Sequence, residues 1–144
     1  MKELPEYIGY LLIQVMKAHR RQAESQLNAL GVHLGQEMLL FQLWEEDGPT
    51  QSEIADCICV EAPTVTKMLQ RMEAAGLIER RQDSQDARVS RVYLMPKGRA
   101  LEEPVTCIWK DVEAKTVRGL SESEKLLLGR LLVQMQQNLA DENI

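Results

Sequence analysis

Apolar residues recur at helical spacing from near the start of the chain. Ile8, Leu11, Leu12, Val15, Ala23, Leu27 and Leu30, with His19 among them, share one face of a helix predicted over residues 5–30. Gly31 follows as a stop signal. A second helix, over 35–46, carries Met38, Leu39, Phe41, Leu43 and Trp44 and runs into the turn Asp47-Gly48-Pro49. Thr50-Gln51-Ser52-Glu53 reads as a capping box, the Thr hydroxyl and Glu carboxylate each satisfying an amide that a helix start leaves free. It opens a short third helix, over 51–57, with Ile54, Ala55, Cys57 and Ile58 available for burial.

A fourth helix, over 61–75, has two unlike faces. Val65, Met68, Leu69 and Met72 fall at i, i+3, i+4 and i+7 and form the apolar one. The opposite face holds Pro63, Lys67, Gln70 and Ala74, flanked by Thr64, Thr66 and Arg71, with no large apolar residue. Gly76 ends it, and the period changes. Residues 77–81 and 91–94 read as two short strands around the polar loop 82–88. A two-stranded hairpin is marginal alone, so this one leans on the helices. Helix returns at Pro96, with one long stripe of Leu101, Val105, Ile108 and Val112 that ends at Gly119. A second capping box, Ser121-Glu122-Ser123-Glu124, opens the last helix, which carries Leu127, Leu128, Leu131, Met135 and Leu139.

Composition narrows the class. At 144 residues, 44% hydrophobic and 27% charged, the chain reads as one globular, mainly α domain. No apolar run approaches the ~20 residues that cross a bilayer. Met1-Lys2-Glu3-Leu4-Pro5-Glu6 places acid and Pro where a signal peptide has a basic start, so a cytoplasmic location and no membrane partner are expected. The three cysteines form no CxxC and imply no disulfide framework. No Gly-rich phosphate loop, GxSxG or HExxH is present, so neither an enzyme nor a cofactor is expected. The two histidines, His19 and His33, stand 14 positions apart, which gives no metal site.

The net charge of −5 is at first sight wrong for a nucleic-acid binder, but its distribution reverses the picture. Residues 61–99 carry eight basic and five acidic side chains, a balance of +3 against −8 for the rest of the chain. Two short helices, a tight turn, a helix with a polar and basic outer face, then a basic hairpin make a winged helix-turn-helix. A helix of that kind fits the major groove, where Lys67, Gln70 and Arg71 reach base edges and phosphates. Thr64 and Thr66, near the helix start with Pro63, suit phosphate contacts. Arg81 in the first strand adds to this surface, and Arg88 at the hairpin tip can reach the minor groove. The alternatives are a merely solvated helix face, or a winged-helix module that binds a protein and has lost DNA binding. The acidic total suits the latter, as does Glu61, a poor cap that repels phosphate.

These residues resemble the MarR (multiple antibiotic resistance regulator) family. The resemblance rests on Gln51-Ser52-Glu53-Ile54-Ala55, Pro63-Thr64-Val65-Thr66-Lys67-Met68-Leu69 and Glu73-Ala74-Ala75-Gly76-Leu77-Ile78-Glu79-Arg80. It continues through Asp86-Ala87-Arg88, Val92-Tyr93-Leu94 and Lys97-Gly98-Arg99-Ala100-Leu101. It implies a single domain over 1–144, with dimerisation helices in 1–34 and 100–144 around a DNA-binding lobe in 35–99. It further implies a homodimer, probing double-stranded DNA at a pseudo-palindromic operator as a ligand-responsive repressor. Arg88 would enter the minor groove while Asp86 holds the wing backbone and a neighbouring arginine, the other reading of that pair being a local ion pair. The apolar stripes of the terminal helices support association independently, an intramolecular bundle being the alternative. Met95 stands where the family has a capping Thr or Ser. A small-molecule effector pocket is expected near Met16, His19, Met38 and Trp44, although Met and Trp at helical spacing also serve as core. Cys57 and Cys59 lack basic neighbours in sequence and are expected to be buried, inert thiols.

Overall fold

The computed structural model describes residues 3–140 and divides the chain into two compact units, Met1–Lys110 and Asp111–Ile144. The first unit opens with a 3-10 turn, Leu4–Glu6, and then α1 (Ile8–Ala29), α2 (Gln36–Glu45), α3 (Gln51–Ile58) and α4 (Ala62–Ala74). Strands β1 (Ile78–Gln82) and β2 (Ser90–Leu94) follow as an antiparallel pair, with Ile78 opposite Leu94 and Gln82 opposite Ser90. Two further helices, α5 (Pro96–Arg99) and α6 (Glu102–Thr116), lead out of the unit.

The lobe closes around Leu27, Val32, Leu39, Leu40, Leu43, Ile54, Leu69 and Met72, all essentially inaccessible to water. Each such side chain contributes about 1.5–3 kcal/mol relative to an exposed one. The inner face predicted for α4 is correct: Val65, Leu69 and Met72 are buried, and Met68 partly so. Helix α1 behaves differently. Only Ala23 and Leu27 are buried, whereas Ile8 is 60% exposed and Leu11, Val15 and Met16 are open to a similar degree.

Local chemistry sets the element ends. Thr50 Oγ accepts the Glu53 amide (3.1 Å) and Glu53 accepts the Thr50 amide (2.9 Å), so the capping box at α3 is complete. Helix α4 starts without one: Glu61 makes no side-chain cap, and its carbonyl alone receives the amides of Thr64 and Val65. Its end is the expected glycine stop, with Gly76 at φ 76° and Leu77 N–H donating back to Met72. At the start of α2, two polar side chains are buried. Gln36 accepts the His33 amide, and Glu37 accepts the Gly35 amide at 2.7 Å. Burial pushes the Glu37 carboxyl up, against the pull of its own and the Gly35 amide and of Arg20 and His19.

The hairpin does lean on the helices, through the turn between α2 and α3. Gly48 N–H donates to Val92, Val92 N–H donates to Pro49, and Thr50 forms a bridge to Arg91. Gly48 sits at φ 88°, and a Cβ there would meet the Tyr93 ring at 2.8 Å. Glycine is required on both counts.

The single helix expected from Pro96 onward is broken in two at Ala100 and Leu101. Pro104 supplies the reason: it has no N–H to give the Ala100 carbonyl, so the hydrogen-bond ladder cannot run through. Proline fits instead in the first turn of α6, where Pro104 stands two positions after the first residue, Glu102. Val105, Ile108 and Val112 of the predicted stripe are nevertheless buried.

In the second unit, Gly119 (φ 85°) ends the helical run as expected, and α7 (Glu122–Ala140) starts at the second capping box, with Ser121 and Glu124 exchanging hydrogen bonds. Its leucines stay open, from Leu126 at 77% exposure to Leu131 and Leu132 near 40%, whereas Met135 is half-buried.

Candidate nucleic-acid interface

Helix α4 presents Pro63, Thr64, Lys67, Gln70 and Arg71 to solvent, the face the pattern predicts. Lys67 and Arg71 form no ion pair with any other described residue. Their charges therefore stand uncompensated, on the same exposed stretch of helix as Gln70. Thr66 is placed differently. It is half-buried, donates its hydroxyl to the Ala62 carbonyl (3.0 Å) and accepts Gln51 Nε2 (3.2 Å), which ties α3 to α4. Of the two threonines, only Thr64 stands free on the surface.

The wing is organised by two residues that the sequence pattern does not single out. Arg91 of β2 donates from Nε to Asp83 (2.6 Å) and from Nη1 to the Gly48 carbonyl (2.9 Å). The other oxygen of Asp83 receives the amides of Gln85 and Asp86, both at 3.1 Å. One carboxylate, its side chain 17% exposed, thus fastens the loop 83–89 to a strand, and through Arg91 to the α2–α3 turn. The Arg91 guanidinium and those two amides hold the Asp83 carboxyl below its ordinary range. Asp86 repeats the device locally. It accepts the backbone N–H of Arg88 and both Nε and Nη2 of its guanidinium, which holds its carboxyl down as well. The Arg88 side chain remains 90% exposed at the tip.

The other arginines of the basic block are also engaged. Arg80 pairs with Glu73 of α4, Arg81 with Glu79 while lying over the Tyr93 ring at 4.4 Å, and Arg99 with Asp47. Asp47 also accepts the Leu94 amide (2.9 Å), so the α2–α3 turn is gripped from both ends of β2. Lys97 donates to the Ala75 carbonyl. The excess positive charge read from sequence is thereby largely matched by carboxylates, and α4 carries the part that is not.

The expected effector residues divide. His19 is half-buried with its ring 5.4 Å from Trp109; Trp109 stands edge-on to Phe41, and Phe41 edge-on to Trp44. The Trp44 indole N–H donates to the Gly98 carbonyl, whereas that of Trp109 is buried without a partner. Met16 and Met38 are exposed, outside this aromatic chain. Trp109 lies beyond the segments from which the pocket was read, and only folding brings it to His19.

The expectation for two cysteines requires a correction: Cys57 and Cys59 are exposed, not buried, and Cys107 is exposed as well. Helix α3 is short and turns Ile54 inward, which leaves its last turn at the surface. Among the described residues, no three of His, Cys, Asp and Glu gather into a metal-binding group, and no helix is long and apolar enough to cross a membrane.

Comparison with known proteins gives one family throughout. The model of the MarR family matches residues 33–90, the span from just before α2 to the start of β2. The HTH-type transcriptional regulator TtmR of Methylorubrum extorquens is 35% identical over 92 residues, which are 64% of this chain and 47% of TtmR, so the match spans about half of that relative. The crystal structure of transcriptional regulator PA3341 is 32% identical, with a TM-score of 0.81 over 94% of this chain and 99% of that one. The MepR–DNA complex of S. aureus superposes with a TM-score of 0.85 at 28% identity, over 94% of this chain and 99% of MepR. MepR itself is seen there in complex with DNA.

Proposed function

The chain belongs to the MarR family, and on that premise we propose that it is a sequence-specific DNA-binding transcriptional regulator, acting as a homodimer on a pseudo-palindromic operator. The observation that carries this reading is the outer face of α4, where Lys67, Gln70 and Arg71 are exposed and the two cations lack carboxylate partners. Gln70 can pair in bidentate fashion with adenine and Arg71 with guanine, while Lys67 and Thr64 meet phosphates. Pro63 and Thr66 support the helix start, Arg81 flanks the groove, and Arg88, oriented by Asp86, enters the minor groove. The exposed apolar faces of α1 and α7 support the dimer, since such surface on a monomer invites association.

Repression relieved by a small-molecule effector, in the cytoplasm, completes the proposal. His19, Trp44 and their aromatic neighbours are its candidate site, with Met16 and Met38 at the edge, and the unpartnered Trp109 N–H offers a donor to a ligand acceptor. No enzymatic step is assigned.

Selection of bound sequences from random duplexes, followed by a salt series on the winner, tests this reading. The expected outcome is a two-fold symmetric site whose affinity falls steeply with salt, with a log–log slope near −0.9 per phosphate neutralised. A flat salt response with no enriched sequence would favour the protein-interaction alternative.

A further inference from the structure

Helix α4 begins with a charge that the proposed function does not use. Glu61 is its N-cap, in extended backbone at φ −63° and ψ 144°. Its side chain is exposed, caps no amide and pairs with no cation among the described residues. The amides behind it are occupied: Thr64 and Val65 both donate to the Glu61 carbonyl, and Pro63 has no N–H to give. The start of α4 thus lacks the run of free donors with which a helix N-terminus holds a phosphate, and it adds a carboxylate that repels one. A phosphate is the wrong partner for this end of the helix. A hydrogen-bond donor is the right one.

We propose that Glu61 is a specificity-determining residue, whose carboxylate accepts the groove-facing N4–H of a cytosine in each half of the operator. This role rests on the function proposed above, with α4 in the major groove, where the first residues of a recognition helix lie against base edges. Of the four bases, cytosine alone shows a donor there and no acceptor. Guanine shows N7 and O6, thymine O4, and adenine an N7 beside its amino group. An ionised carboxylate accepts and cannot donate, so it gains from cytosine and meets a repelling lone pair on each of the others.

Glu61 thereby discriminates in both directions, lowering affinity for wrong sites as well as raising it for the right one. The attraction that holds the complex together despite this charge comes from Lys67 and Arg71, further along the same helix and free of carboxylate partners. The unpaired side chain has no internal contact to give up when it meets a base, and its removal takes no cap from α4.

The test selects bound sequences from random duplexes with the full chain, E61A and E61Q. Each protein is then titrated against the wild-type site and against the same site carrying N4-methylcytosine, whose methyl group replaces the groove-facing N–H while the base still pairs with guanine. The wild-type chain should enrich one cytosine per half-site. E61A should lose that preference and keep the others, and E61Q, which donates as well as accepts, should admit adenine there. N4-methylation of that cytosine should weaken the wild-type chain about tenfold and leave E61A unaffected. Both variants should bind unrelated duplexes a few-fold more tightly, because a charge that DNA repels is gone. Unchanged base preferences in E61A and E61Q would overturn the role of Glu61, as would an equal response of the wild-type chain and E61A to N4-methylation. A uniform loss of affinity in E61A for all duplexes would reduce it to a support of the helix start. Absence of any enriched sequence for the wild-type chain would instead remove the proposed function, and the role of Glu61 with it.

Discussion

Helix α4 and the wing are both basic in sequence, yet their charges are in opposite states. On α4, Lys67 and Arg71 face water with no carboxylate beside them. On the wing and at its base, Arg81, Arg88 and Arg91 each hold one, at Glu79, Asp86 and Asp83. A free cation adds its full attraction for phosphate when DNA arrives. A paired one must first give up its partner, so its net gain is smaller. On the function proposed above, the helix would make the contacts and the wing would be held in place before it binds.

That contrast makes an order of effects, and four substitutions test it. Arg71→Ala should weaken binding most, by about ten- to a hundredfold, and relax preference at one base pair, as read by titration against operator and scrambled duplexes. Asp83→Asn should cost about tenfold without touching DNA. It leaves Arg91 short of its carboxylate and loosens the loop 83–89, which amide exchange across that loop would report. Arg88→Ala should weaken binding by only a few-fold, equally for all duplexes, because the guanidinium it removes was already partnered by Asp86. An Arg88 effect larger than that of Arg71 would reverse the comparison. Gln70→Ala, the smallest in affinity, should shift one position of the selected site and leave the salt slope unchanged.

The pH response should separate the wing from the lobe beneath it. Asp83 and Asp86 have their carboxyls held below the ordinary aspartate value of 3.8, so their contribution is present above that pH and is lost as pH falls through their lowered values. Wing order should thus be flat from neutrality down to about pH 4. Glu37 has the opposite sign. Its folded form takes up a proton before the unfolded chain does, so stability declines as pH rises from 4.5 through its raised value. Glu37→Gln should remove that decline, seen as a melting temperature that no longer falls across the window.

Much of the lobe was legible in the chain because it depends on neighbours in sequence. The capping boxes at Thr50 and Ser121, the glycine stops at Gly31, Gly76 and Gly119, and the two faces of α4 all rest on residues within a few positions of one another. The uncapped start at Glu61 was equally visible, and so was the lack of a side-chain cap at Met95. Pro104 was there to be read as the break between α5 and α6, but a continuous apolar stripe masked it. The stripe survives the break because burial depends on where side chains end up, not on an unbroken ladder.

The basic block shows the limit most plainly. Its composition fixed that eight cations lie between residues 61 and 99, and the helical period fixed which of them share the outer face of α4. Which charges remain available was decided only by folding. The partners of Arg91 and Arg99 include Gly48 and Asp47, more than forty positions away, and reach them because the hairpin packs on the α2–α3 turn. The exposure of Cys57 and Cys59 and the meeting of His19 with Trp109 are of the same kind. Periodicity and capping act over a turn or two of chain. Charge pairing and burial act through space, and space is set by the packed core.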